Sequence, residues 1–212
     1  MQLRNEIVGA FIDAVYAIAA TILALEIPSE LPGEEFGLEL FSDMLVEYSL
    51  AFLLLFALWL QHRRINGIVE TISRFRLFIN ALILLLVCLV PRATKLMFEY
   101  GDDVTLGALE GTLFQGSGWT TAELVDLFYV VLVIFIDLGI LALLYVTGRQ
   151  AETKELNRLQ ISKWTVTALL LVVTLTSFLL PVENRYFLII LPVVLFFEQE
   201  LSTIVVRLAR RR

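Results

Sequence analysis

The sequence predicts an all-α, polytopic membrane protein: six transmembrane helices forming a single domain over residues 1–212. Of its 212 residues, 58% are hydrophobic and 18% are charged, against roughly 45–50% and 25% in soluble domains. The mean hydropathy is +0.83. The excess lies in six blocks of about 20 residues, the length that crosses a hydrocarbon layer ~30 Å thick. This pattern excludes a soluble globular enzyme, a disordered chain and a disulfide-stabilised scaffold.

The six apolar blocks define the predicted spans in order. The first lacks a basic leader followed by a small-residue cleavage site, so we expect a mature helix rather than a signal peptide. Pro91 falls near the end of the third span, where a helix tolerates proline, and Pro192 lies inside the sixth. The spans are Ile7–Ile27, Met44–Leu60, Leu77–Met97, Leu124–Val146, Trp164–Leu180 and Tyr186–Val206.

Basic residues set the predicted orientation. Six spans put both termini on one side, and that side carries 13 of the 16 lysines and arginines. The positive-inside rule therefore predicts that both termini are cytoplasmic and that the chain lies in the plasma membrane as a multi-pass protein. The basic tail 207–212 is expected to touch anionic lipid, and no nucleic-acid partner is expected.

Acidic residues follow the opposite pattern. The segments 28–43 and 98–126 hold eleven of the 22 acids and no basic residue, and the model of six spans places both outside. An acidic outer rim would concentrate cations near an opening. The simpler interpretation is that these acids serve solubility and topology.

Catalytic and metal-binding residue types are scarce. Cys88 is the only cysteine and His62 the only histidine, so neither an intrachain disulfide nor a zinc site is expected. Enzymes within membranes need clustered polar catalytic groups, which this sequence does not offer. The protein is therefore predicted to be neither an enzyme nor a holder of a metal or other cofactor.

Two aspartates lie within predicted spans. Asp13 is in the inner third of the first span, and Asp137 is deep in the fourth. A carboxylate at such depth is costly unless it faces protein, water or a partner, so each is a candidate functional residue. For Asp13, a role in function and a structural hydrogen bond, for example to Trp59, are equally supported. The sequence leaves open the roles of Asp137, Glu198 and Glu200.

One face of the first span carries branched apolar residues. Ile18, Ile22 and Leu25 share it with Phe11 and Ala14 at a period of 3.6, and Thr21 lies beside them. By itself, such a stripe is more typical of helix packing or lipid contact than of a pore. On the second span, Trp59 and His62 are three residues apart and share a face near the inner membrane surface.

Three motifs in the first 100 residues resemble the transmembrane protein 175 family of potassium channels, in its short prokaryotic form. The stretch AFIDAVYAIAATILALEIP, 10–28, is similar to the family's FSD motif and the run that follows it. The second motif, WxxHRR, begins at Trp59. The third motif, N…LVPxxT, begins at Asn80 and includes Pro91 and Thr94. The three motifs occur in the family's order, in the first three of six spans. The last three spans agree only in hydropathy.

The resemblance implies a homotetramer with one central pore lined by the four first helices, conducting monovalent cations with a preference for K⁺. No TVGYG segment is present for a carbonyl filter. In the family, rings of apolar side chains on the first helix form the constriction. Counting from the motif aspartate, the corresponding residues here are Ile18, Ile22 and Leu25. Thr21 would form a polar ring nearby. Asp13, Trp59 and His62 would hold the helices together near the cytoplasmic mouth.

Two positions depart from the family motif. Ile12 stands where the family has serine, and Ile7 stands where the motif arginine usually lies, with Arg4 nearly one turn earlier. The hydrogen bonds between the first and second helices are therefore expected to differ from those of the family.

Other functions remain possible at this stage. A proton-coupled or other secondary transporter would use Asp13, Asp137 and Glu198 as a relay, although no internal repeat relates spans one to three to spans four to six. A non-conducting membrane scaffold is also compatible with the sequence.

Overall fold

The structure is a computed structural model. It describes residues 3–25, 38–99, 121–148, 159–164, 166–168, 171–172 and 192–197. Helices dominate these ranges. The elements in order are β1 (Leu3–Arg4), α1 (Asn5–Leu25), α2 (Leu38–Asn66), β2 (Thr71–Ile72), α3 (Arg74–Val87), α4 (Val90–Glu99) and α5 (Thr121–Gly148). Helical residues are also found at 159–164, 166–168, 171–172 and 192–196.

Three helical stretches in the described ranges are long and apolar enough to cross a membrane. They are Asn5–Leu25, Arg74–Met97 and Leu124–Gly148, and they coincide with the predicted first, third and fourth spans. The 29-residue α2 contains the predicted second span and continues past it to Asn66. Within the predicted fifth and sixth spans, the described residues 164, 166–168, 171–172 and 192–196 are helical.

Helix α1 buries one face and leaves the other uncovered. Its buried residues recur every three or four positions, as expected for one side of a helix with 3.6 residues per turn. This side packs mainly on α2 and also reaches α3 and α4. The buried residues are Val8, Gly9, Ile12, Tyr16, Ala19 and Leu23.

The third predicted span is a broken helix. The α-helical hydrogen bonds stop after Cys88, whose amide donates to the Leu84 carbonyl, and Leu89 instead donates to Leu86 in a tighter turn. Pro91 explains the break because it has no amide hydrogen and its ring crowds the carbonyl four residues earlier. Thr94 then donates its hydroxyl to the Val90 carbonyl, 2.9 Å away, within α4.

A short antiparallel pair joins the start of the chain to the connection between α2 and α3. Leu3 pairs with Ile72 and Arg4 with Thr71, and the Asn5 amide donates to the Glu70 carbonyl. Ser73 then caps α3 by accepting a hydrogen bond from the Arg76 amide. The pair thereby brings the start of α1 to the basic end of α2 and the basic start of α3.

Helices α3 and α4 pack on α5. The approach of α3 to α5 is close at Gly139, where an added Cβ would lie 2.8 Å from Ile83 Cγ1. Small residues permit such close backbone approach in membrane helices. The core between these helices is apolar and includes Ile83, Val87, Ile136 and Ile140.

Candidate functional site

The uncovered face of α1 carries the residues predicted to line a pore. Ile18 is 57% exposed, Ile22 41% and Leu25 78%. Thr21 is also exposed, and its hydroxyl donates to the Ala17 carbonyl at 2.8 Å. The predicted apolar stripe is therefore a continuous surface of the single chain.

Asp13 is held on the opposite side of the same helix by α2. Trp59 Nε1 donates a hydrogen bond to Asp13 Oδ1 at 2.9 Å, and Arg63 Nε lies 3.3 Å from the same oxygen. Trp59 and Arg63 are four residues apart, so both reach α1 from one face of α2. The carboxylate is thus compensated by a positive charge and a hydrogen-bond donor.

Gly9 makes room for that guanidinium. A Cβ at Gly9 would lie 2.3 Å from Arg63 Nη1 and 3.1 Å from its Cζ. Gly9 stands one helical turn before Asp13 on the α2-facing side. The missing side chain therefore lets Arg63 lie flat against α1.

His62 forms the centre of a second, buried polar cluster. Its Nε2 donates to Asn80 Oδ1 at 2.7 Å, and its Nδ1 lies 3.4 Å from the Tyr16 hydroxyl. Asn66 Nδ2 donates to the same Asn80 oxygen at 2.8 Å. This arrangement places the imidazole proton on Nε2 and leaves Nδ1 to accept from tyrosine. The cluster joins α1, α2 and α3.

Arg76 extends this cluster toward the loop after α2. It is fully buried, and its Nη2 donates to the Ile65 carbonyl at 3.0 Å and lies 3.4 Å from Asn66 Oδ1. Its Nε and Nη1 have no hydrogen-bond partner within the described ranges. Arg76 is one of the cations on the predicted cytoplasmic side, and the structure places its side chain in the interior.

Asp137 is held by an ion pair with Lys163. Both side chains are nearly inaccessible, at 1% and 3% exposed. Thr167 donates its hydroxyl to the other carboxylate oxygen, and Lys163 Nζ also donates to Gln61 Oε1 at 2.6 Å. Lys163 is one of the cations on the predicted cytoplasmic side, just before the predicted fifth span, and the structure places it in a helix that already includes residues 159–164.

The structure brings together some of the predicted residues and separates others. Asp13 and Trp59 are in direct contact, whereas His62 lies in the neighbouring cluster with Tyr16. Glu198 and Glu200 lie outside the described residues. Sequence reasoning missed the roles of Arg63, Asn66 and Lys163, although Arg63 belongs to the WxxHRR motif.

The two motif departures have structural counterparts. Ile12, at the position of the family serine, is fully buried in the apolar core, and Ile7, at the position of the family arginine, is 61% exposed. A guanidinium nevertheless reaches Asp13, because Arg63 supplies it from α2.

In the part of the chain that the structure describes, no group of three or more His, Cys, Asp or Glu side chains could hold a metal ion. The long apolar helices, the intramembrane ion pair and the polar contacts between α1, α2 and α3 define a helical multi-pass membrane protein.

A model of a known protein family matches the first part of the chain. Residues 8–91 match the model of the endosomal/lysosomal potassium channel TMEM175 family. The resemblance predicted from the motifs is thereby confirmed, and it covers α1, α2 and α3.

Two curated relatives match the same part of the chain. A protein named potassium channel from Chamaesiphon minutus is 39% identical over 99 residues, which are 44% of this chain and 49% of the relative. Another of that name from Streptomyces collinus is 33% identical over 97 residues, 44% and 47% of the two chains. The matched region spans about half the length of each relative.

The likeness in fold extends further than the likeness in sequence. The crystal structure of a lysosomal potassium-selective channel TMEM175 homolog from Chamaesiphon minutus superposes with a TM-score of 0.70. It covers 92% of this chain and 97% of that chain at 21% identity. The helical fold predicted from hydropathy is therefore shared with that protein.

Proposed function

We propose that the protein is a potassium-preferring cation channel of the plasma membrane, formed by four copies of a six-span chain with cytoplasmic termini. The observation that carries the proposal is the two-sided character of α1. One face is fixed to α2 and α3 by apolar packing and polar contacts, while the other leaves Ile18, Ile22 and Leu25 exposed in the described chain. The names of the relatives, potassium channel, support the same activity.

The proposed selectivity is dehydrative. In a fourfold arrangement with the exposed faces of α1 toward the axis, Ile18, Ile22 and Leu25 would form successive apolar rings. These residues span about 10 Å of helix, at ~1.5 Å per residue. A cation passing them loses part of its hydration shell, and K⁺ loses water at lower cost than Na⁺. The same rings could close the path by dewetting.

The polar contacts behind α1 are proposed to position these rings. Asp13 lies on the packed side and is engaged by Trp59 and Arg63, so it is not a filter carboxylate in this proposal. Its contacts fix the rotation of α1 about its own axis. A rotation of the helix would move the isoleucines away from the pore axis.

A transporter based on an aspartate relay is less well supported. Asp13 is paired with Arg63, and Asp137 is paired with Lys163. Proton transfer through either group would first have to disrupt that pair.

The decisive experiment is electrical. The purified protein is reconstituted in planar bilayers with K⁺ on one side and Na⁺ on the other, and the reversal potential is read. We expect a stable current that reverses toward the K⁺ equilibrium potential. Saturating flux that requires a proton gradient would favour the transporter, and a tetramer that passes no ions would favour a scaffold.

The variant Ile18→Asn tests the constriction. An amide side chain offers ligands to a partly dehydrated ion, so we expect Na⁺ permeability relative to K⁺ to rise. Ile161→Asn is the matched control, because Ile161 is also 57% exposed but lies away from α1. An unchanged permeability ratio in Ile18→Asn would show that Ile18 is not the constriction.

A further inference from the structure

The exposed apolar stripe of α1 continues toward the start of the helix, past the three residues of the proposed constriction. Phe11 is 61% exposed, and it precedes Ile18 by seven residues, or about 10 Å along the helix axis. At about 100° per residue, Phe11 points in a direction between those of Ile18 and Ile22. Helix α1 runs without a break from Asn5 to Leu25. Any axis that Ile18 and Ile22 face is therefore faced by Phe11 as well.

The direction of Phe11 is fixed by contacts on the other side of the helix. Ile12, the next residue in the chain, is fully buried in the core. Asp13 follows it and is bound by Trp59 and Arg63 of α2. Two residues that are two positions apart in a helix point about 160° apart. The contacts of Asp13 with α2 therefore turn Phe11 to the uncovered side of α1.

Smaller or partly buried side chains separate Phe11 from Ile18 along the stripe. The residues nearest to this direction between them are Ala14 and Val15. Ala14 is exposed and ends in a methyl group, whereas Val15 packs against the core. In the proposed fourfold arrangement, the path would be wider at Ala14 than at Phe11 or Ile18. The stripe thus has two bulky levels with a wider level between them.

The two bulky levels differ in what they offer to a cation. An isoleucine side chain replaces water with aliphatic surface, so an ion that passes it loses hydration without compensation. The face of a phenylalanine ring carries a negative partial charge, which attracts cations. A ring of four phenylalanines therefore narrows the path but compensates part of the lost hydration.

We propose that Phe11 forms a second constriction of the pore, on the cytoplasmic side of Ile18, which limits the flow of ions without setting the preference for K⁺. This inference rests on the proposed function, because it requires four first helices around one axis. The cytoplasmic position follows from the proposed orientation, in which the start of α1 lies on that side of the membrane.

The first test measures single-channel conductance of the reconstituted protein in planar bilayers. Two comparable constrictions in series add their resistances, so Phe11→Ala should raise the K⁺ conductance by up to about twofold. The reversal potential between K⁺ and Na⁺ solutions should stay unchanged. Phe78→Ala is the matched control, because Phe78 is 64% exposed but lies on α3, and it should change neither quantity.

The second test does not depend on a current. The Cys88→Ser variant removes the cysteine of the natural chain, and Phe11→Cys, Ile18→Cys or Phe78→Cys is added to it. Each variant is placed in lipid vesicles and treated on both sides with a charged, water-soluble methanethiosulfonate. Intact-protein mass spectrometry then measures the modified fraction. We expect the Phe11→Cys and Ile18→Cys variants to be modified, because both face water, and the Phe78→Cys variant to stay unmodified in lipid.

The outcomes separate this inference from the proposed function. Modification of the Ile18→Cys variant without modification of the Phe11→Cys variant would overturn the inference and leave the pore in place. Modification of neither, together with no K⁺ current in the unmodified protein, would overturn both. An unchanged conductance in Phe11→Ala would show that Phe11 does not narrow the path. A shifted reversal potential in that variant would overturn the separation of the two roles.

Discussion

At Asp13, a single carboxylate inside an apolar helix receives two donors from the helix beside it. Trp59 donates to one of its oxygens, and Arg63 brings a positive charge to the same atom. Hydrogen bonds to charged groups contribute more than neutral ones, roughly 1.5–3 kcal/mol. Asp13 therefore acts as an attachment point between α1 and α2.

Trp59→Phe removes the donor and keeps an aromatic ring. We expect the free energy of unfolding to fall by about 1.5 kcal/mol, the lower end of that range, because Asp13 is partly exposed and keeps Arg63. Thermal unfolding in detergent measures the change. Trp164→Phe, at an exposed position, should change it by less than about 0.5 kcal/mol. Equal midpoints for both variants would show that the hydrogen bond contributes nothing.

Gly9→Ala tests whether the missing side chain accommodates Arg63. Alanine favours a helix over glycine by up to about 1 kcal/mol, but its Cβ would displace the guanidinium from Asp13. In an Arg63→Ala background nothing is displaced, so Gly9→Ala should stabilise the protein there by roughly 0.5 kcal/mol more than it does with Arg63 present. A double-mutant cycle of unfolding midpoints gives the difference. Additive effects would contradict the close contact.

At the scale of the element, the ends of α1, α2 and α3 are joined by the cluster around His62. Asn80 supplies one oxygen to two donors, His62 Nε2 and Asn66 Nδ2. The β1–β2 pair closes the same end of the bundle through the backbone. These contacts fix the position of α1 relative to α3, although the two helices are not consecutive in the chain.

Asn80→Ala would leave both donors buried without an acceptor. Each unsatisfied donor costs about 1–3 kcal/mol, so we expect a loss of at least 2 kcal/mol in the free energy of unfolding. Chemical unfolding followed by tryptophan fluorescence measures it. Ser49→Ala is the control, because Ser49 is exposed and bonds only within its own helix. A loss no larger than that of the control would mean that the cluster is not fully desolvated.

At the scale of the whole molecule, the ion pair of Asp137 with Lys163 connects α5 to the helix that carries the predicted fifth span. Gln61 on α2 accepts a hydrogen bond from Lys163 Nζ, so α2 also contacts this ion pair. A buried charge that loses its partner is far more damaging than the removal of both charges together. The pair therefore holds α5 and the following helix together, and the contact of Lys163 with Gln61 connects them to α2.

Lys163→Met leaves Asp137 without its cation and should reduce the free energy of unfolding by about 3–5 kcal/mol. The double variant Asp137→Leu, Lys163→Met removes both charges and should recover most of that loss. Recovery of folded protein in detergent and its unfolding midpoint measure both effects. A double variant no more stable than the single one would show that Asp137 does not depend on Lys163.

The sequence by itself determined the helical membrane class, the resemblance of its first part to a channel family, and the faces of the first helix. Hydropathy over about 20 residues and a period of 3.6 are local properties, so they can be read without a fold. The Asp13 contact with Trp59 was named as one of two options, because spacing gives faces but not neighbours. The sequence predicts a single third span with Pro91 tolerated near its end, whereas the helix is broken between Val87 and Val90.

Only the tertiary structure decided which charges are surface charges. Arg76 and Lys163 are among the cations on the predicted cytoplasmic side, and both are buried because their partners lie on other helices: Ile65 and Asn66 at the end of α2 for Arg76, and Asp137 on α5 for Lys163. Arg63 likewise reaches Asp13 across 50 residues of sequence. The sign of the net charge at a helix end follows from the amino-acid composition. The partner of each charged side chain depends instead on which helices pack together.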